Sequence, residues 1–178
     1  MTLNSTMASP TKKLRVVELF AGVGGFRLGL EGWKGKSSTS GYSKKMTHDG
    51  FRIVWSNQHE PGRRVQYAND IYNFHFGHII DSIHTEEPIE NIDPKKIPNH
   101  DMIVGGFPCQ DFSVGALNKF SKGLEGKKGV LWFEIERILK ENARDGRPTK
   151  YILLENVDRL LKCPVDAKGA DFTKILDS

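Results

Sequence analysis

Leu14-Arg15-Val16-Val17-Glu18-Leu19-Phe20-Ala21-Gly22-Val23-Gly24-Gly25-Phe26-Arg27-Leu28-Gly29-Leu30 decides the fold. Residues 14 to 20 are mostly apolar, as a strand buried on both faces should be. A turn over residues 21 to 25 follows, and a short helix opens at Phe26. Strand, glycine turn and helix in that order begin a doubly wound α/β nucleotide-binding fold. Glycine suits such a turn because a side chain at Gly22 or Gly24 would block a ligand lying against the backbone at the helix N-terminus. Arg27 stands where the third glycine of a dinucleotide fingerprint would be, which weakens a pyrophosphate assignment. A tight turn without a ligand is the alternative for this segment taken alone.

Strand and helix patterns alternate through the rest of the chain, so a mostly parallel sheet is expected. Phe51 to Trp55 reads as a second strand, and the polar run Ser56-Asn57-Gln58-His59-Glu60 follows it. In a doubly wound fold this position offers an acceptor to ribose hydroxyls, here Glu60 or the neutral Gln58. Val65 to Phe74 reads as a helix with apolar positions at Val65, Ala68, Ile71 and Tyr72. His78 to Ile83 reads as a short strand bearing Asp81, a candidate ligand contact or simply a turn residue. Residues 33 to 50 are polar and irregular, a predicted disordered insertion.

Met102-Ile103-Val104 is the next strand, and it runs into Gly105-Gly106-Phe107-Pro108-Cys109-Gln110-Asp111-Phe112-Ser113. A thiol at the carboxyl end of a parallel strand stands where open α/β sheets bind and transform ligands. Between Asp111 and Gly129, Gly115, Gly123, Gly126 and Gly129 alternate with Lys119, Lys122, Lys127 and Lys128, the composition of a mobile basic loop. Val130 to Leu139 reads as a helix with apolar positions 131, 135, 138 and 139. Tyr151 to Leu154 reads as a further buried strand with Glu155-Asn156-Val157 at its carboxyl end. The strand ends Phe20, Ser56, Asp81, Phe107 and Glu155 would then share one rim.

Composition bounds the function. The 178 residues suit one α/β domain with its own core, preceded by a flexible tail over residues 1 to 13. No apolar run approaches the roughly 18 residues of a membrane span, and the start lacks the apolar stretch of a signal peptide. Cys109 and Cys163 form no disulfide framework and have no zinc-site spacing, so no metal is expected and a reducing, cytoplasmic setting is. A net charge of +4 is compatible with a polyanionic partner without requiring one. A thiol and a carboxylate with no histidine nearby in sequence argue against a cysteine protease, whose thiolate needs a base.

Residues 18 to 26, residues 106 to 113 and Glu155-Asn156-Val157 closely resemble, in the right order, the first, fourth and sixth motifs of the C5-cytosine methyltransferases. The resemblance covers residues 14 to about 165. It implies a Rossmann-like S-adenosylmethionine-dependent methyltransferase fold, incomplete at the carboxyl end, with S-adenosylmethionine as cofactor and a flipped cytosine of double-stranded DNA as substrate. By resemblance Cys109 is the nucleophile that adds to carbon 6, and Glu155 contacts nitrogen 3 and the exocyclic amine. Phe20, Gly22 and Gly24 would line the cofactor, with Gln58 or Glu60 at the ribose. Asp81 would hold the adenine amine, and Pro108 and Leu131 would pack nearby. Gln110, Ser113 and Asn156 would meet the substrate.

The second motif departs from pattern, with Gln58 and His59 where many members carry Glu and Trp. After Val157 nothing matches the family's later motifs or its target recognition domain. Residues 14 to 178 are therefore expected to be the amino-terminal part of the catalytic domain. They would be a fragment, or one subunit of a split restriction-modification enzyme that is inactive without a second polypeptide. A non-catalytic S-adenosylmethionine-binding remnant and a transfer RNA methyltransferase are the other two possibilities.

Overall fold

The computed structural model describes residues 12–32, 50–107, 131–162 and 167–178. Five strands form one parallel sheet, in the order β3-β2-β1-β4-β5. In chain order the elements are β1 (Leu14–Leu19), α1 (Gly25–Glu31), β2 (Phe51–Asn57), α2 (Tyr67–Phe76), β3 (Ile83–Thr85), β4 (Met102–Gly106), α3 (Leu131–Arg144), β5 (Tyr151–Glu155) and α4 (Ala170–Asp177). The chain winds outward from β1 to β3, then crosses back to β4 and β5. The order reverses between β1 and β4, and a doubly wound sheet opens a crevice at that point, outside the carboxyl ends of its strands.

Alternation along β1 assigns its residues to two faces. Val17 and Leu19 join Trp55, Ile103, Phe107 and the α3 residues Trp132, Ile135 and Ile138 in the main core. Val16 joins Ile53 and Val104 on the opposite face, against Phe26 and Leu30 of α1. An irregularity sets Val16 beside Ile53 but Val17 beside Trp55, so that Val54 is an extra residue in β2. It restores the alternation so that Ser56 faces the α1 side with Glu18. Between β3 and β4, 3-10 turns at Ile89–Asn91 and Pro94–Lys96 deliver Ile89, Ile92 and Ile97 to the α3-side core.

Three expectations change. The third strand is Ile83–Thr85, beyond Asp81, because its pairing with β2 joins Ser56 to His84 and Asn57 to Thr85; Ile80 of the expected strand is 96% exposed. Helix α2 buries Asn69 and Tyr72, whereas Val65 and Ile71 face solvent. Strand β5 is apolar in sequence yet exposed along Tyr151, Ile152 and Leu153, because it is the last strand on its side of the sheet among the described residues. The stretch after Val157 contains a 3-10 turn at Asp158–Lys162 and α4, whose Phe172 and Ile175 pack on the main core. Most of the predicted insertion and all of the loop from Asp111 to Gly129 lie outside the described residues, as does Cys163. Among the described residues no helix is long and apolar enough to cross a membrane.

Candidate active site

The turn after β1 is built from positive backbone angles. Phe20 has φ 53°, Gly22 φ 55° and Gly24 φ 92°. A left-handed phenylalanine is an uncommon, strained conformation of the kind that clusters at ligand sites. Two backbone hydrogen bonds hold the turn: Ala21 N donates to the Asn57 carbonyl at 2.9 Å and Gly24 N to the Ala21 carbonyl at 2.8 Å. The two candidate glycines serve different ends. A Cβ on Gly22 would project into open space, whereas one on Gly24 would collide with the Phe76 ring. Gly22 therefore leaves backbone accessible to a ligand, and Gly24 lets the turn pack on α2.

A cavity of about 250 Å³ opens beside this turn, near the lower end of the roughly 300–1,000 Å³ typical of small-ligand sites. Phe20 and Gly22 enter it after β1, Gln58 and His59 after β2, Gly106 at the end of β4, and Leu131 at the start of α3. The structure thus brings together the sequence candidates Phe20, Gly22, Gln58 and Leu131. Pro61, Ile89 and Glu90 also line the cavity, and nothing in the sequence singled them out. Ile89 and Glu90 belong to a stretch whose prolines read only as a connection.

The polar candidates after β2 separate. Gln58 Oε1 accepts a 2.7 Å hydrogen bond from Gly22 N, so its carboxamide carbonyl braces the turn and its Nε2 can only donate. Glu60 faces elsewhere: its Oε2 accepts from Ala68 N at 3.1 Å in the first turn of α2, where a carboxylate is favourable. Gln66 clamps the Glu60 backbone, accepting from its N–H at 2.6 Å and donating to its carbonyl at 3.0 Å. His59 Nδ1 lies 3.0 Å from the Glu86 carbonyl, which only accepts; that bond places the proton on Nδ1 and leaves Nε2 an acceptor. Asp81 pairs with Arg52 at 2.8 Å, near the amino end of β2 and on the rim opposite the cavity. The displaced strand explains this, since Asp81 precedes β3 and does not end it.

At the end of β4, two glycines permit two close approaches. A Cβ on Gly105 would stand 2.8 Å from the Leu19 carbonyl oxygen, and one on Gly106 would stand 3.0 Å from Glu155 Oε2. The Glu155 carboxylate therefore lies across the last residue of β4, which lines the cavity. Asn156 Nδ2 donates to the Phe107 carbonyl at 3.3 Å, and its Oδ1 accepts from Val157 N at 2.8 Å. Its side chain ties the ends of β4 and β5 together. Phe107 is buried against Trp132. Pro108, Cys109, Gln110 and Ser113 lie outside the described residues.

A buried polar network beneath the turn escaped the sequence reading. Glu18, wholly buried in β1, accepts from Arg27 N at 3.2 Å and from the Tyr72 hydroxyl at 2.9 Å. Arg27, 1% exposed, donates to Glu31 at 2.9 Å and to Tyr72 and Ser82, each at 3.1 Å. His84 stacks on Tyr72 and bridges Ser56 at 2.8 Å to Asn69 at 2.7 Å. Burial, partly offset by the Tyr72 and Arg27 hydrogen bonds, pushes the Glu18 carboxyl up to about 7. Burial, then the charge of Glu18, raises the Tyr72 hydroxyl. Burial, then the charge of Arg27, lowers His84 to about 4. The available signal was Glu18 itself, a charge inside an apolar strand that had to find partners.

The family described as C-5 cytosine-specific DNA methylase matches residues 14–178. The type II methyltransferase M.Sau3AI of Staphylococcus aureus is 44% identical over 168 residues, covering 93% of this chain and 36% of that protein. The type II methyltransferase M.HhaI of Haemophilus parahaemolyticus is 35% identical over 144 residues, covering 81% of this chain and 34% of that protein. The chain thus spans about a third of the length of these curated relatives. Among solved structures, the Entamoeba histolytica methyltransferase EhMeth superposes with a TM-score of 0.59 at 20% identity, covering 93% of this chain and 43% of that one, a likeness of fold.

Proposed function

Because the chain belongs to the C-5 cytosine-specific DNA methylase family, we propose that it is the S-adenosylmethionine-binding, thiol-bearing part of an enzyme that methylates carbon 5 of cytosine in DNA. The observation that carries this is the Glu155 carboxylate lying across Gly106, a residue that lines the cavity at the switch point of the sheet and stands three residues before Cys109. A proton-handling group and a thiol at the end of one strand suit attack on a ring that must be protonated as it is attacked.

The residues present fit the cofactor. Open space at Gly22 admits a ligand against the backbone, and Phe20 and Leu131 offer apolar contact. Gln58 Nε2 and His59 Nε2 present one donor group and one acceptor, and Pro108 would pack alongside. When bound, S-adenosylmethionine supplies an electrophilic methyl group. The chain does the rest. The Cys109 thiolate adds to carbon 6 of a cytosine flipped out of the duplex, and Glu155 stabilises the proton at nitrogen 3. The sulfur–carbon bond makes carbon 5 nucleophilic. Once carbon 5 is methylated, a base takes its proton, and the electron pair left behind reforms the ring double bond and expels the thiolate. Gln110 and Ser113 would contact the substrate, and Asn156 would hold the Phe107 carbonyl in front of the Pro-Cys pair. The surface that selects a DNA sequence would come from protein outside these residues, in the same polypeptide or in a second one.

A duplex containing 5-fluorocytosine tests this, because fluorine cannot leave as a proton and the adduct persists. With S-adenosylmethionine present and the remaining two thirds of a relative supplied, a denaturant-stable adduct forms and is lost in Cys109→Ser. No adduct, with S-adenosylmethionine still bound, would leave a binding remnant without turnover.

A further inference from the structure

We propose that Glu90 is the carboxylate that receives the ribose hydroxyls of the bound cofactor, because no residue directly after β2 brings a carboxylate into the cavity. This rests on the S-adenosylmethionine reading of the cavity. A vicinal diol offers two O–H donors and needs acceptors, best met by a carboxylate. The Gln58 carbonyl oxygen already takes the Gly22 N–H and keeps one lone pair, its Nε2 donates only, and His59 Nε2 is a single neutral acceptor, so neither matches two hydroxyls as a carboxylate does. The Glu60 carboxylate caps α2, and Asp81 is on the far rim. Among the described residues Glu90 is the one carboxylate that lines the cavity, and no hydrogen bond or ion pair engages it there.

Its support is rigid. Glu90 sits in the middle of the 3-10 turn Ile89–Asn91, closed by Asn91 N donating to the Pro88 carbonyl at 2.9 Å. Ile89 is buried, and Arg137 Nη2 donates to both the Ile89 and the Ile92 carbonyls at 3.1 Å, gripping the two sides of the turn. Glu134 holds the Arg137 guanidinium in turn, at 2.7 Å. A carboxylate carried on a clamped turn loses little freedom on binding, which favours affinity.

Calorimetric titration of the full chain with S-adenosylhomocysteine and with its 2′,3′-dideoxy analogue is the test. Glu90→Gln should weaken S-adenosylhomocysteine binding roughly tenfold, the size expected for charge-assisted hydrogen bonds, and leave binding of the dideoxy analogue unchanged. Glu87→Gln, a neighbouring charge outside the cavity, should leave both alone. Adding Gln58→Glu to Glu90→Gln should restore part of the loss by putting a second acceptor beside the turn. Equal affinity for wild type and Glu90→Gln would overturn the assignment, as would a loss of the same size for the dideoxy analogue or for Glu87→Gln. Wild-type protein that does not bind S-adenosylhomocysteine at all would overturn the cofactor reading itself.

Discussion

The two faces of the sheet are closed by opposite means. Against α3 the contact is apolar: Val17, Leu19 and Ile103 meet Ile135 and Ile138, all wholly buried. Against α1 and α2 a small apolar patch of Val16, Ile53 and Val104 gives way, toward the carboxyl rim, to Glu18, Arg27, Tyr72, Ser56 and His84. The apolar face supplies adhesion that is insensitive to small displacements. The polar face fixes directions, because each hydrogen bond constrains an angle as well as a distance. Arg27 N, in the first turn of α1, is held by the Glu18 carboxylate, so the polar face is the one that sets the glycine turn over the end of β1. Both faces contribute stability, and the site depends on the polar one for position.

Breaking each face once separates these roles. Arg27→Ala has the largest expected effect: it strips Glu18 and Glu31 of a buried cation that also lies 5.1 Å from the Phe76 ring, at a cost of about 3–5 kcal/mol. Ile138→Ala leaves a cavity and costs about 2–4 kcal/mol. Chemical denaturation reads both costs. S-adenosylhomocysteine titration separates them, because folded Arg27→Ala should bind weakly while folded Ile138→Ala binds as wild type. Equal binding by both would mean that the Arg27 side chain does not position the turn.

The same contrast explains what the sequence disclosed. Apolar periodicity revealed the α3 face, where Ile135 and Ile138 are buried as expected and Leu131 and Leu139 border the core. The glycine turn, the parallel sheet and the placing of Glu155 on the same rim as the end of β4 also follow from local pattern. The other face was largely illegible, because hydropathy selects Val65 and Ile71 along with Tyr72 for the buried side of α2, when Tyr72 is buried with the polar Asn69 and the two aliphatic residues face solvent. It likewise selects Ile79 and Ile80 for the third strand, whereas the strand forms where His84 can bridge Ser56 and Asn69. Partnerships between polar residues 28 and 15 positions apart leave no periodic trace. Glu90 was hidden for a related reason: only the fold brings a connecting turn to the end of β2.

Consecutive glycines of β4 give a smaller, local version of the comparison, because neighbouring residues of a strand point to opposite faces. Gly105→Ala drives a methyl group into the Leu19 backbone, which cannot swing aside, and should cost about 1–3 kcal/mol. Gly106→Ala meets only the far end of the Glu155 side chain, which can shift, so stability should change by less than about 1 kcal/mol. The 5-fluorocytosine adduct should nevertheless form more slowly in Gly106→Ala. Adduct formation at the wild-type rate would show that the carboxylate need not lie across the strand.

The smallest effect is expected in the unaltered protein, where two titrations on the polar face oppose each other. Glu18 is raised from 4.5 to about 7, so the folded chain holds a proton that the unfolded chain has released, and stability falls as pH rises across that interval. His84 is lowered from 6.5 to about 4, so the unfolded chain takes up a proton that the folded chain refuses, and stability rises with pH across that one. Between about pH 4.5 and 6.5 the two slopes have opposite sign and similar size, and their sum is nearly flat. Removing either group exposes the other. Relative to wild type, melting temperature in Glu18→Gln should climb from pH 4.5 to 6.5, and in His84→Asn it should decline over the same range. Parallel curves for all three proteins would mean that neither group titrates differently in the folded chain. A reversal in one variant alone would identify which of the two keeps its ordinary proton affinity inside the fold.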